Sequence, residues 1–551
     1  MIGSVGETDT STTRMVWHPQ WRSPTSVTDP VGLVQSSGYD ETTGATTYQQ
    51  VGPSTARRVN FTYLTSGPAI GQVRTVSRPP SAAVDTFTYD AVGNLASTRS
   101  AIGFVSLIYR DAVGRDTMQV TPIDSATARD NASVLATGLR TITRYDLVGQ
   151  DTLTLTVGPA RSVPGVGTHP ADTVWQSHGY DGEGNRLRTT RRYRQVGSST
   201  LWQLEHTWTF DAVGRVLSES KPGPSSTTFT YDPAGNVTAV TSSRGLTVQA
   251  SYDALNRVTR RIVPQVDITS RHCSTLPLQP AYCDFSLPTR GDVGASVCIP
   301  ADTMRYRYTA GGQTADADNR WARVRRSYSK GGLLLADTLR TRAWFVTADQ
   351  GCEEPGPAGG SIDYNSRFFH VYGLGYTYDL AARRTTLLHP DAIDPCSGRC
   401  EERYAYNSVT GALDSLIDVA GQAHTFSYDD GGRLTTKWAP GGVADVRTYD
   451  LDDRQISRTV SGLVADTYSL DAQGRSRTVQ TGSANAAALF YKGLGAVVAA
   501  ENLTDGASVE RFTVDGLGNR RLAQRLNAKP GSHPDGTRSG STATTRPGGW
   551  R

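Results

Sequence analysis

Aromatic residues alternate with Thr and Ser in short runs along the chain: "TFTYD" at 86–90, "TFTYD" again at 228–232 and "TFSYD" at 425–429. A period of two places one set of side chains on a single face of a strand. Each run stops at Asp, two free residues and Gly. That order fits a type I β-turn, in which Asp accepts from the turn's N–H groups and Gly tolerates a positive φ at its end. Beyond the turn, Leu95, Val216, Val237, Val258 and Leu434 open a second apolar run. One unit reads as a β-hairpin.

The unit recurs. Its copies are Tyr89-Asp90 with Gly93, Tyr145-Asp146 with Gly149, Tyr180-Asp181 with Gly184, Phe210-Asp211 with Gly214, Tyr231-Asp232 with Gly235 and Tyr428-Asp429 with Gly432. Tyr449-Asp450, Tyr252 ("YDALNR") and Tyr378 ("YDLAAR") keep the first half of the phrase. Tyr308, Tyr328, Leu470, Tyr491 and Val514 begin weaker copies, Tyr39 and Tyr406 carry one extra residue before the Gly, and looser candidates begin at Tyr63 and Tyr109. Where the copies are regular (210, 231, 252; 428, 449, 470, 491) the period is 21 residues. That length holds two strands of about 7 or 8 residues and two turns. An isolated hairpin of this size is marginal in water, so neighbours are expected to pair edge to edge into one antiparallel sheet that twists and curls as it grows.

This phrase and period resemble the YD repeat of the RHS (rearrangement hotspot) family, related to the shells of toxin-complex C subunits and of teneurins. The resemblance covers about Tyr39 to Leu526. It implies an all-β fold, a continuous antiparallel hairpin sheet spiralling into a hollow shell. In bacterial members such a shell encloses a C-terminal effector; in teneurins it forms part of an adhesion receptor. The expected organisation is an N-terminal flank at 1–35, the array at 36–526 and a low-complexity tail at 527–551, too rich in Gly, Pro, Thr and Ser to fold alone. Two long gaps, between Tyr252 and Tyr308 and between Tyr328 and Tyr378, mark inserts at about 259–305 and 335–375 that interrupt the array. The shell reads as incomplete at both ends. The tail lacks the closing segment and cleavage aspartates of self-cleaving members, and the effector is absent from this chain.

The 56 Gly and 27 Pro are scattered along the 551 residues, as frequent turns require. The 56 basic residues, only five of them Lys, nearly balance 52 acidic ones for a net charge of +4, and no nucleic-acid footprint is indicated. No run approaches the roughly 18 apolar residues of a membrane helix, so no membrane span is expected. The start has no basic or apolar leader. A secreted or cell-surface bacterial protein, read as a piece of a longer product, is the expectation.

All six cysteines fall in or near the inserts: Cys273, Cys283, Cys298, Cys352, Cys396 and Cys400. They read as disulfide staples on long loops. The competing zinc sets, Cys396 and Cys400 with His389, or His272 and Cys273 with Cys283, lack the paired short spacing of a structural site. The repeated aspartates could supply catalytic carboxylates or calcium ligands, but one residue type in every unit points to turn capping. The repeated Tyr reads as a packed rung before a sugar platform, and the dispersed His form no triad pattern. No catalytic, cofactor or metal residue is assigned. The expected function is a non-catalytic shell wall whose partner is an enclosed effector or a neighbouring part of a longer polypeptide. The alternatives are adhesion or carbohydrate binding through the outer face and inserts, with a cell-surface glycan or protein as partner, and a self-cleaving toxin.

Overall fold

A computed structural model describes residues 12–79, 82–123, 129–163, 167–169, 172–194, 201–223, 225–264, 266–269, 296–299, 301–319, 321–341, 370–390, 400–482, 485–491, 497–503, 508–514 and 520–527. The fold is all-β, and successive strands pair antiparallel into one long hairpin sheet. The chain divides into two compact units, Met1–Thr8 with His206–Glu402, and Asp9–Glu205 with Arg403–Arg551.

In the unit built on His206–Glu402, Ser225–Tyr231 pairs with Val237–Ser242, which pairs with Thr247–Tyr252, and Thr247–Tyr252 with Val258–Val263. The ladder then crosses the first sequence gap directly, because Val258–Val263 pairs with Asp302–Tyr308. It crosses the second in the same way, through Leu334–Thr341 and His370–Tyr378. The gaps therefore interrupt the sequence pattern and not the sheet. Strand pairing needs only that the two edges meet, and a long connection costs little more closure entropy than a short one. From the first insert, Val266–Thr269 and Ser296–Ile299 form a small separate hairpin.

In the other unit, the fully buried side chains gather where the sheet is covered. Val105, Leu107, Val120 and Val134 pack together with Met118 against them. Val134 comes from the helix Asn131–Thr137, capped by Asp130, whose side chain accepts from the Ser133 N–H. Within the same unit, late turns seat on early connections at intervals of 21 residues. A Cβ built on Gly52 would lie 2.7 Å from the Val409 carbonyl oxygen. Arg57 approaches Asp430 at 3.9 Å. Arg78 donates to the Leu451 carbonyl at 3.4 Å, and the Ala472 N–H donates to the Ile123 carbonyl at 3.1 Å. Elsewhere the strands are mostly half-buried, as in a sheet with one face covered.

Candidate functional site

The described Tyr-Asp-x-x-Gly turns close in the same way. In the Asp90 copy, the Asp90 N–H donates to the Asn94 carbonyl and the Gly93 N–H to the Asp90 carbonyl. Asp90 Oδ1 accepts from the N–H groups of Val92 and Asn94 at 3.0 and 2.9 Å. Asp146, Asp181, Asp211 and Asp450 bind their turns with the same oxygen, and Asp232 and Asp429 do so at the last N–H. These bonds favour the carboxylate and hold Asp90 and Asp211 below the usual carboxylate range, while the side-chain amides of Asn185 and Asn236, with the turn N–H groups, do so for Asp181 and Asp232. Gly93, Gly149, Gly184, Gly214, Gly235 and Gly432 have φ between 80° and 93°. Asn256, Ala382 and Asp453 take the same left-handed position in copies without the Gly.

Two links between repeats were not read from the sequence. The first is the hydroxyl of the repeated Tyr, which donates to the carbonyl that opens the return strand of the preceding repeat. Tyr89 reaches Val73, Tyr231 reaches Val216 and Tyr252 reaches Val237, each at 2.7 Å, and Tyr449 reaches Leu434 at 2.8 Å. Tyr145 and Tyr180 make the equivalent bond to Asp116 and Asp151. Phe210 has no hydroxyl to offer. The second is the residue after the Gly. Where it is Arg, its Nε binds the Asp of its own turn, as for Arg215 on Asp211 (2.6 Å), Arg433 on Asp429 and Arg454 on Asp450 (both 2.7 Å). The same guanidinium donates forward to the carbonyl of the next repeat's Asp: Arg215 to Asp232, Arg433 to Asp450 and Arg454 to Asp471, at 3.2, 2.9 and 2.8 Å. It also stacks on the next Tyr, with Arg215 4.7 Å from the Tyr231 ring centre and Arg433 5.1 Å from that of Tyr449. Tyr in place of Phe, and Arg 17 residues before the next Asp, were the available signals.

The looser candidate at Tyr109 is displaced by one residue. Tyr109 is exposed, and Arg110 fills the aromatic position, its guanidinium donating to the Leu95 carbonyl. Tyr63 makes the link to the preceding repeat, its hydroxyl 2.7 Å from the Thr46 carbonyl, although its turn is longer and closes from Leu64 to Gln72.

Cys400 is fully buried and disulfide-bonded. Cys298 lies on Ser296–Ile299, while Cys273, Cys283, Cys352 and Cys396 lie outside the described residues, as do the tail after Asn527 and the turn after Val514.

One grouping has the order of a nucleophile, base and acid. Thr189 Oγ1 lies 2.9 Å from His178 Nδ1, and His178 Nε2 lies 3.6 Å from Asp151. Asp151 is already bound by Arg186 at 2.8 Å and by the Tyr180 hydroxyl. Burial lowers the pKa of His178, whose side chain is 2% exposed, leaving a substrate no approach. A cleft of about 580 Å³ in the unit built on Asp9–Glu205 is lined by Phe87, Arg99, Phe104, Asp452 and Gln473, among others. Its charges are occupied: Arg99 donates to the Arg129 carbonyl at 2.8 Å, and Asp452 accepts from the Ile102 N–H at 3.2 Å.

Residues 210–247 and 231–265 match a family model described as RHS Repeat. Teneurin-m of Drosophila melanogaster is 32% identical over 81 residues, 15% of this chain and 3% of that protein. Two solved structures, of TcdB2-TccC3-TEV and of TcdB2-TccC3 without its hypervariable C-terminal region, align with 94% of this chain at a TM-score of 0.61 and 14% identity. This chain spans 26% of each of them, and at that identity the likeness concerns the fold.

Proposed function

From the premise that this chain is an RHS/YD-repeat protein, we propose that it is a shell wall, secreted or at the cell surface, which encloses or presents another polypeptide and performs no chemistry itself. The observation that carries this reading is the use to which the repeated polar groups are put. The Asp carboxylates, the following Arg and the Tyr hydroxyls bind backbone or one another in unit after unit. A catalytic site needs a group left over, aimed at developing charge. The similar solved structures, of TcdB2 with TccC3, support a wall that works within a longer assembly. The disulfide at Cys400 supports an oxidising compartment.

The test is protection. A compact domain appended to residue 551 is exposed to a nonspecific protease, alone and in the fusion. Slower digestion of the appended domain in the fusion is expected, and digestion at the free rate overturns enclosure. Prolonged incubation of the purified chain is expected to leave one intact band; release of a defined fragment, abolished by Asp515→Asn or Asp535→Asn, overturns the non-catalytic reading and favours self-cleavage.

A further inference from the structure

In three described repeats of the unit built on His206–Glu402, one face of the sheet carries hydroxyl pairs. Thr209 meets Ser218 at 2.7 Å, Thr230 meets Thr238 at 3.0 Å and Thr377 meets Thr386 at 2.7 Å. Between Val258 and Thr341 that face changes character. Register places Arg260 opposite Arg305, Arg305 opposite Asp318, and Asp318 opposite Arg323, which lies opposite Arg340. One step along, Arg307 lies opposite Asp316, and Asp316 opposite Arg325. Directly opposed residues share a face. Six arginines and two aspartates therefore occupy one side of adjoining strands, an excess of four positive charges that equals the formal net charge of +4 for the whole chain.

The arrangement works against the fold. Like charges directly opposite one another destabilise a sheet, and it happens twice, at Arg260 with Arg305 and at Arg323 with Arg340. The two carboxylates are already engaged. Asp316 binds Arg323 at 2.6 Å and Arg325 at 3.2 Å, and Asp318 approaches Arg305 at 3.9 Å. Arg260, Arg305, Arg307 and Arg325 nevertheless stand exposed.

We propose that this face is a docking surface for a linear acidic polysaccharide bearing carboxylate or sulfate groups. The cationic groups form a grid of about 5 Å between strands and about 7 Å along them, set by strand spacing and rise. Guanidinium forks pair with carboxylate and sulfate oxygens in two-point contacts. Nucleic acid fits less well. Tyr306, Tyr308 and Tyr328 alternate to the opposite face, away from the arginines, so these rings offer bases nothing to stack on.

The experiment measures binding of the full chain to size-defined heparin fragments and to polygalacturonate, with a single-stranded oligonucleotide of matched charge as comparison. Both polysaccharides are expected to bind with an affinity that falls steeply with salt. Arg260→Gln/Arg305→Gln/Arg307→Gln is expected to weaken binding at least tenfold with an unchanged circular dichroism spectrum. The control Arg74→Gln/Arg144→Gln/Arg188→Gln, exposed arginines of the other unit, is expected to change it less than twofold. Should the triple variant misfold, Arg307→Gln alone, expected to weaken binding at least twofold, takes its place. No binding to either polysaccharide, equal loss in both variants, or tighter binding to the oligonucleotide overturns the proposal.

Discussion

Replacing Tyr449 with Phe removes one atom from the joint between two repeats and leaves the ring under Arg433 in place. The lost bond is the 2.8 Å donation to the Leu434 carbonyl. A neutral hydrogen bond of this kind contributes about 0.5–1.5 kcal/mol net, and the half-buried setting lets water take over part of the carbonyl's demand, which favours the lower half of that range. A long repeat array opens locally, so the effect belongs in hydrogen exchange of nearby amides and not in one melting temperature. With about 1.4 kcal/mol per factor of ten, peptides covering Leu434–Tyr449 should exchange about two- to five-fold faster, while peptides covering Ser225–Ser242 in the other unit should not change. Exchange within twofold of the parent at Leu434–Tyr449, or equal acceleration in both regions, would show that the hydroxyl does not hold this joint.

The turn glycines separate strain from crowding: a Cβ on Gly432 meets nothing within 4 Å, so Gly432→Val should cost about 1–3 kcal/mol through its φ of +80° alone. Gly93→Ala adds contact with the Pro68 carbonyl at 2.8 Å to a φ of +91° and should open its hairpin further than Gly432→Ala does; equal exchange in the two alanine variants would refute this. Hydrogen bonds from Arg447 and then Arg458 lower Asp445 from 3.8 to about 2, and the turn carboxylates of Asp90, Asp211 and Asp253 are lowered as well. Groups depressed in the fold stabilise fully above their unfolded value and lose that contribution as pH falls through the folded value. The urea midpoint should therefore drop from about pH 4 downward, and a midpoint unchanged at pH 2.5 would contradict it. Cys400 should resist alkylation in unfolded, non-reduced protein and react after reduction; labelling without reductant would exclude the disulfide.

The hairpin was legible because its causes are local: alternation at Thr86–Tyr89, an Asp that caps, a Gly that turns. The links between hairpins were not, since they join a side chain to a backbone carbonyl about 15 residues back, and any residue supplies a carbonyl. Tyr231 on Val216 leaves only the choice of Tyr over Phe as a trace. Asn256, Ala382 and Asp453 stand where other copies have Gly, and each is held at φ of 60–63° by the same turn bonds. The cationic face was hidden by composition, because a balanced total charge says nothing about which strands face one another. The grouping of Asp151, His178 and Thr189 is likewise a product of strand register, with no motif to announce it.

The Tyr308 hydroxyl reaches the Val258 carbonyl at 2.7 Å across 50 residues of chain, and Tyr378 reaches Leu334 at 2.8 Å across 44. Neighbours with no insert between them, such as Tyr252 and Val237, bond at the same 2.7 Å. The clasp is therefore indifferent to what the chain does between one strand's far end and the next. New sequence can enter at that edge without retuning the sheet. Such a scaffold can diversify along one edge of the sheet while its strand pairing is kept, and variation among related sheets should accumulate there.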